Sequence, residues 1–503
     1  MRWFAVSFAS LFVLSASAAP ELTRAAGTTL TISQGVDADT LNPIATTITP
    51  TFNVVQHFYE RLADFDSPHK LKPVLAVSWR RVDPTTEEYK LRPNVKFSNG
   101  DPFTSADVRY TVEWIKNPAN KSAQTVYVRD IDRVETPDPL TVRFISKVPT
   151  AIPPGQTNPI YIVDSKYFQE KGNAYASQHP IGTGAYVLTE WRRDDATIMD
   201  ANPGWWNGKP HIDRVIFKPI ADAATRVAAL KTGQVDLITN VPPQNAASIE
   251  EGRTTKLASA RSLRQVFFAF NVNDPGPQQK RLVRQALNYA VNVDAIIKTV
   301  MGGHAFRLNS ALPPQYFGYN PTIKAYTYDP AKAKELLAKA GFPNGNGIDL
   351  LVRCPTGRYS RDKEVCEAIA GQLTAIGVKA TARPQEWTSY YGELNTHKTG
   401  PLYMLGWNAP VADADAVYSA LFESNAPLSN YKNEAVDRLI EDARGELNVI
   451  KRQAIYEKTS RILHDEAPWI FLFQFEDLYG VNKRVVWQPR GDEYIRAYDM
   501  SIH

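Results

Sequence analysis

The stretch from Glu88 to Trp114 constrains this chain more than any other, because it sets a strand, a turn and a capped helix in one unbroken run. Tyr89, Leu91, Val95 and Phe97 alternate as a half-buried strand does, Pro93-Asn94 bends it, and Asn99-Gly100-Asp101-Pro102 is turn chemistry. Thr104 or Ser105 then caps a helix on which Val108, Val112 and Ile115 recur at spacings of four and three. On physics alone this run predicts a hairpin followed by a helix.

Strand-like and helical segments alternate through the rest of the chain. Thr28 to Ser33, Ala185 to Trp191, Arg214 to Pro219, Val235 to Thr239 and Gln265 to Val272 read as strands, which predicts an α/β fold with largely parallel sheets. One helix is fully punctuated: Asp329 caps it, Pro330 opens it, Leu336 and Leu337 give it an apolar side, and Gly341 stops it. A strand to Cys354, a helix near Arg361 to Ile376, a strand near Val378 to Ala382 and a helix starting by Trp387 follow as one β-α-β lobe.

Arg2, the apolar run Trp3 to Leu14 and Ser15-Ala16-Ser17-Ala18-Ala19 form a secretory signal at 1–18, with cleavage expected after Ala18. The two cysteines, Cys354 and Cys366, are far from that point, so a soluble, exported protein without a lipid anchor is expected, periplasmic in a two-membrane bacterium. At 503 residues and 43% hydrophobic, the chain is long enough for two or three lobes. Its charge of +4 is spread without a Lys/Arg block, which argues against nucleic acid. In an oxidising compartment Cys354 and Cys366 can pair across the loop carrying Arg358, or stay as two buried thiols; both fit the sequence. None of the eight histidines neighbours them or forms a His-x-His or His-x-x-x-His pair, so neither a metal nor a cofactor is expected.

As a string, Glu88 to Trp114 resembles the signature of the peptide/nickel/opine group of extracytoplasmic solute-binding proteins, family 5, which feed ABC importers. Pro180-Ile-Gly-Thr-Gly-Ala-Tyr186, Asn202-Pro-Gly-Trp-Trp-Asn-Gly208, Val227 to Asp236 and Arg284-Gln-Ala-Leu-Asn-Tyr-Ala290 extend the likeness over nearly all of the mature chain. The resemblance implies a clamshell of the periplasmic binding protein type II kind. Its first lobe would be discontinuous (27–60, 181–268 and 471–503), with an extra β-rich domain inserted at 61–180 and a second lobe at 269–470.

A receptor of this kind needs a mostly apolar cleft with a few polar groups where the ligand is charged. Trp387, Tyr390 and Tyr391 on one helix and Trp407 at a strand end are aromatics suited to it, although each can equally be a core residue. Tyr390 and Tyr391, being adjacent on a helix, cannot both face one pocket. Trp407 sits where ligands of open α/β sheets bind, at the carboxyl end of a strand.

Arg358, in Cys354-Pro-Thr-Gly-Arg-Tyr-Ser-Arg361, follows a strand end and can meet a carboxylate through two parallel bonds, or can be a solvated loop arginine. In dipeptide-binding relatives an arginine in a similar Pro-x-x-Arg setting holds the ligand's carboxylate. Relatives also carry an aspartate three residues after the equivalent of Trp407, to hold the peptide's amine; here that residue is Pro410. Ala412-Asp-Ala-Asp415 is instead similar to glutathione-binding members, so Asp413 or Asp415 is expected either to meet a ligand amine or to cap the following helix. Asp39 and Thr40, in the loop Asp37 to Pro43, line the cleft in relatives or simply close turns. Gly182-Thr-Gly184 lacks the lysine and the longer glycine pattern of a phosphate loop.

The resemblance thus implies a monomeric receptor that captures a small-molecule or peptide ligand and hands it to an inner-membrane permease. Walker motifs are absent, which places the ATPase on another polypeptide. A short or modified peptide, glutathione among them, is the expected ligand; an opine or an oligosaccharide is the alternative. Closure is expected to hinge near Phe270 and Phe473. A periplasmic hydrolase lacks a nucleophile elbow or metal set here, and a nickel carrier lacks clustered imidazoles and thiolates.

Overall fold

The computed structural model describes residues 27–66, 71–151, 160–409 and 411–503. The expected signal at 1–18 and Pro410 lie outside the described residues.

The opening run folds as its chemistry dictates. Thr86–Leu91 is a strand, and the helix Ser105–Lys116 starts at the Thr104 cap. Asp107 Oδ2 accepts the Thr104 backbone N–H at 2.8 Å, closing a reciprocal cap. That helix packs with the four-stranded antiparallel sheet of Ala76–Asp83, Thr86–Leu91, Thr141–Ser146 and Ile131–Asp138. The punctuated helix spans Pro330–Lys339; Asp329 Oδ1 accepts the Lys332 N–H at 2.9 Å, and Gly341 takes a left-handed φ of +91°.

A single sheet of eleven strands runs through the molecule. Thr29–Gln34 pairs in parallel with Arg214–Pro219 and Leu237–Ile238, and Asp349–Thr356 pairs in parallel with Lys379–Glu386 and Leu402–Trp407. The two groups are joined by long antiparallel strands, Thr255–Phe270 and Trp469–Asn482. The sheet is therefore mixed rather than largely parallel. A crossover helix enforces parallel pairing only within each group, while direct returns of the chain make antiparallel neighbours.

Two large cores flank this join. One draws on residues between Leu263 and Phe475; the other combines Leu30–Phe217 with Leu237 and Tyr479–Met500, so that the four-stranded sheet shares a core with the first strands. The ladder between the long strands slips between Arg261 and Gln265. Phe270 and Phe473, expected at the crossing, lie wholly inside the first of these cores; a second slip, between Val266 and Phe267, falls beside Phe473, whereas Phe270 lies beyond it.

The halves also touch away from the long strands. Asn240 Nδ2 donates to the Arg358 carbonyl at 3.3 Å, Thr47 and Tyr391 share a hydroxyl hydrogen bond of 3.2 Å, and a Cβ on Gly35 would come within 2.6 Å of the Gly357 carbonyl.

Candidate functional site

The break in the long ladder is where charge collects. Arg264, in the slipped segment, has its side chain almost wholly buried and paired with Glu493, Nε to Oε1 at 2.5 Å and Nη2 to Oε2 at 2.8 Å. Its other bonds reach both halves: Nη1 donates to the Gly406 carbonyl at 2.8 Å and Nη2 to Thr49 Oγ1 at 3.0 Å. Burial opposes the charge on Glu493, yet Arg264 beside it holds the carboxyl below its usual range. Glu493 adopts a left-handed φ of +66°, a strain of about 1 kcal/mol that the surrounding pairs must offset.

Two small cavities of about 20 and 40 Å³ lie against this cluster, and Asn240, Arg358, Asp477 and Glu493 line both. Arg358 reaches them because its loop is clamped from behind. Asp362 Oδ2 accepts the backbone N–H groups of Arg358 and Tyr359, each at 3.0 Å, where the helix Asp362–Ala375 begins. Burial pushes the Asp362 carboxyl up to about 6. The Arg358 guanidinium lies 4.8 Å from the Tyr359 ring centroid and 5.5 Å from that of Trp387. Its Nε is buried without a hydrogen-bond partner, and burial together with the nearby Arg264 lowers its pKa. A buried cation in this condition is poised for an anion.

The other expected residues are placed differently. Trp387 is buried and stacks on Tyr391 at 5.0 Å, so it supports Arg358 rather than lining either cavity. Tyr390 is fully buried and its hydroxyl donates to the Met404 carbonyl at 2.6 Å; it is a core residue, not a cleft residue. Trp407 is half-buried, with its indole N–H held by the Ala416 carbonyl at 2.9 Å.

The expected amine ligands are spoken for. Asp413 forms a double hydrogen bond to Arg452, 2.8 Å on each oxygen, and accepts the Asp415 N–H at 2.9 Å at the start of a helix. Asp415 accepts from Ser419 Oγ at 2.7 Å and pairs with Arg444 at 3.2 Å. Asp39 accepts the hydroxyls of Thr51 and Thr46, and Thr40 Oγ1 accepts the Asn42 N–H at 3.0 Å, so both close the loop they sit in.

Cys354 and Cys366 are joined in a disulfide with Cα atoms 6.2 Å apart, closing the loop that carries Arg358. Among the described residues, no group of three or more His, Cys, Asp or Glu could hold a metal ion, and no helix is long and apolar enough to cross a membrane.

Sequence reasoning missed Arg264, Asp477 and Glu493. The available signal was Glu476-Asp477, an acidic pair interrupting the apolar run that begins at Trp469. A wider cavity of about 840 Å³ opens beside Trp205, Trp206 and the C-terminal segment, but its Arg61, Arg490 and Arg496 are already paired with Asp64 and Asp492.

Comparison with known proteins fits this geometry. Residues 70–428 match the family described as bacterial extracellular solute-binding proteins, family 5 Middle. The glutathione-binding protein GsiB of Escherichia coli O6:K15:H31 (strain 536) is 31% identical over 452 residues, covering 87% of each chain. Among solved structures, the periplasmic binding protein DppA of Helicobacter pylori in complex with the peptide STSA superposes with a TM-score of 0.87 at 25% identity, over 94% of this chain and 98% of that one. AgaA of A. tumefaciens R10 in complex with agropinic acid gives 0.85 at 26%, over 94% and 99%. Its match across most of its length shows that this chain belongs to the bacterial extracellular solute-binding proteins of family 5.

Proposed function

We propose that this protein is the periplasmic receptor of an ABC importer, binding a short or modified peptide between its halves and presenting it to a permease driven by separate ATPase subunits. Glutathione is the specific candidate, and binding involves no bond-making or bond-breaking. The observation that carries the reading is Arg358: a buried guanidinium that lines both cavities between the halves, is backed by Tyr359 and Trp387, and has an unpartnered Nε. The likeness to a curated glutathione-binding protein over most of both chains supports the choice of ligand.

Such a site fits the ligand's carboxylate, because a planar fork gives directed paired bonds where water is excluded. Isothermal titration with glutathione should therefore show binding by the wild type, and Arg358→Ala should weaken it at least thirtyfold, about 2 kcal/mol on the affinity scale. Full affinity in that variant would sink the carboxylate clamp.

An opine is the second reading, favoured by the likeness to a protein solved with agropinic acid. Native mass spectrometry of protein taken from the periplasm separates the two by the mass released on denaturation.

A further inference from the structure

We propose that Asp477 is the amine anchor of this cleft, taking the ammonium of a zwitterionic solute whose carboxylate meets Arg358. This rests on the receptor reading above and narrows its ligands to those with a free amine and an acid.

Asp477 lies on the long strand Trp469–Asn482, opposite Ala260 and one residue past the partner of Arg261, where the ladder slips. It lines both cavities together with Arg358. Its Oδ2 is buried and has no hydrogen-bond partner. The contrast with its neighbour is informative: both oxygens of Glu493 are taken by Arg264, and Oε1 also accepts from Ser262 at 3.2 Å. No ion pair among the described residues joins Asp477 to Arg358. An acid with one buried oxygen unsatisfied and a base with its buried Nε unsatisfied thus line the same space without forming an ion pair. A single molecule carrying both opposite charges satisfies both.

Burial, and next the charge of Glu493, push the Asp477 carboxyl well up, with Ser262, Arg264 and Arg358 pulling the other way. Tyr359, Tyr479, His304 and Glu476 complete the titratable groups around these cavities. Burial thus disfavours the charged form of this acid in the empty site, and an ammonium arriving beside it favours that form and shifts its proton balance toward release. The acids suggested by the sequence do not compete for the role, since Arg452 and Arg444 occupy Asp413 and Asp415.

The test is isothermal titration of the full protein with glutathione, the dipeptide Ala-Ala and the N-acetyl form of each. We expect acetylation to cost the wild type at least tenfold. Asp477→Asn, which keeps the shape, should lose at least tenfold for the free amines and little for the acetylated compounds. Repeating the wild-type titration in buffers of different ionisation enthalpy should show a proton released on binding, and that release should vanish in the variant. If the variant keeps the wild-type preference for free amines, or loses both kinds of ligand equally, the anchor is wrong while the receptor reading stands. If the wild type binds none of the four, the peptide reading and the anchor fall together.

Discussion

Asp413 and Arg452 meet through two parallel hydrogen bonds with both side chains about nine-tenths buried, and that pairing decides what each can do. A carboxylate engaged in this way is unavailable to a ligand, and its removal leaves a buried guanidinium without an anion. Breaking one side of such a pair costs about 3 kcal/mol or more. Asp413→Asn should therefore lower stability to urea by roughly that amount while the affinity for glutathione of the folded fraction stays unchanged. A loss of affinity with stability intact would return Asp413 to the cleft. Arg358 was legible in the sequence because a loop between a strand end and a helix start is a local signature. The partners of Asp413 and Asp415 were not, because Arg452 and Arg444 lie on later helices and nothing local records which acid a distant arginine will meet. Asp477 was hidden for a related reason: an acid in an apolar strand reads as a solvent-facing position until the strand is known to cross between two cores.

At the scale of elements, the strand Asp349–Thr356 and the helix Asp362–Ala375 act as one unit because Cys354 and Cys366 tie them together. The tie encloses Gly357, Arg358 and the Asp362 clamp, so it restrains the segment that presents the guanidinium. Both cysteines are fully buried, and the bridge spans twelve positions of sequence. Loop-closure entropy for a ring of that size is worth about 3 kcal/mol in the unfolded state. The double variant Cys354→Ala/Cys366→Ala should lose stability of that order in urea titrations, and wild type in reductant should approach it once unfolding exposes the bridge. Equal stability of variant and wild type would mean that the bridge does not form in solution. Helices whose ends carry their own caps, such as Pro330–Lys339, were readable to within a residue because the signals are local. The strand Thr255–Phe270 was read only from Gln265 onward: its first half carries polar residues facing solvent, and only its partner strand makes it a strand.

Across the whole molecule, the segments flanking the four-stranded sheet reach over to the half built around the core between Leu263 and Phe475. Arg129 Nη1 meets Glu423 Oε2 at 2.5 Å, Arg444 lies 3.5 Å from Asp130 and 3.2 Å from Asp415, and the Ala151 N–H donates to the Arg444 carbonyl at 2.8 Å. This contact joins the halves on a face separate from the cleft, so its free energy favours whatever arrangement brings them together. Ligand affinity in a two-state receptor scales with the population of the competent arrangement, and a latch that stabilises it by 1 kcal/mol raises affinity about fivefold. The Arg129–Glu423 pair is partly exposed, at 26% and 16% of side-chain surface, which limits its share to about 0.5–1 kcal/mol and makes it sensitive to salt. Arg129→Ala should accordingly weaken glutathione binding by roughly two- to fivefold at low ionic strength, with the difference shrinking as salt is raised. Glu423→Ala also removes the 3.3 Å contact to Arg444, so its loss should be at least as large, and the double variant should lose little more than Glu423→Ala alone. Small-angle scattering of the unliganded proteins should show a larger radius of gyration in each variant if the latch holds the halves together. Additive losses, or an affinity indifferent to salt, would mean that the pair merely decorates an interface set by the long strands.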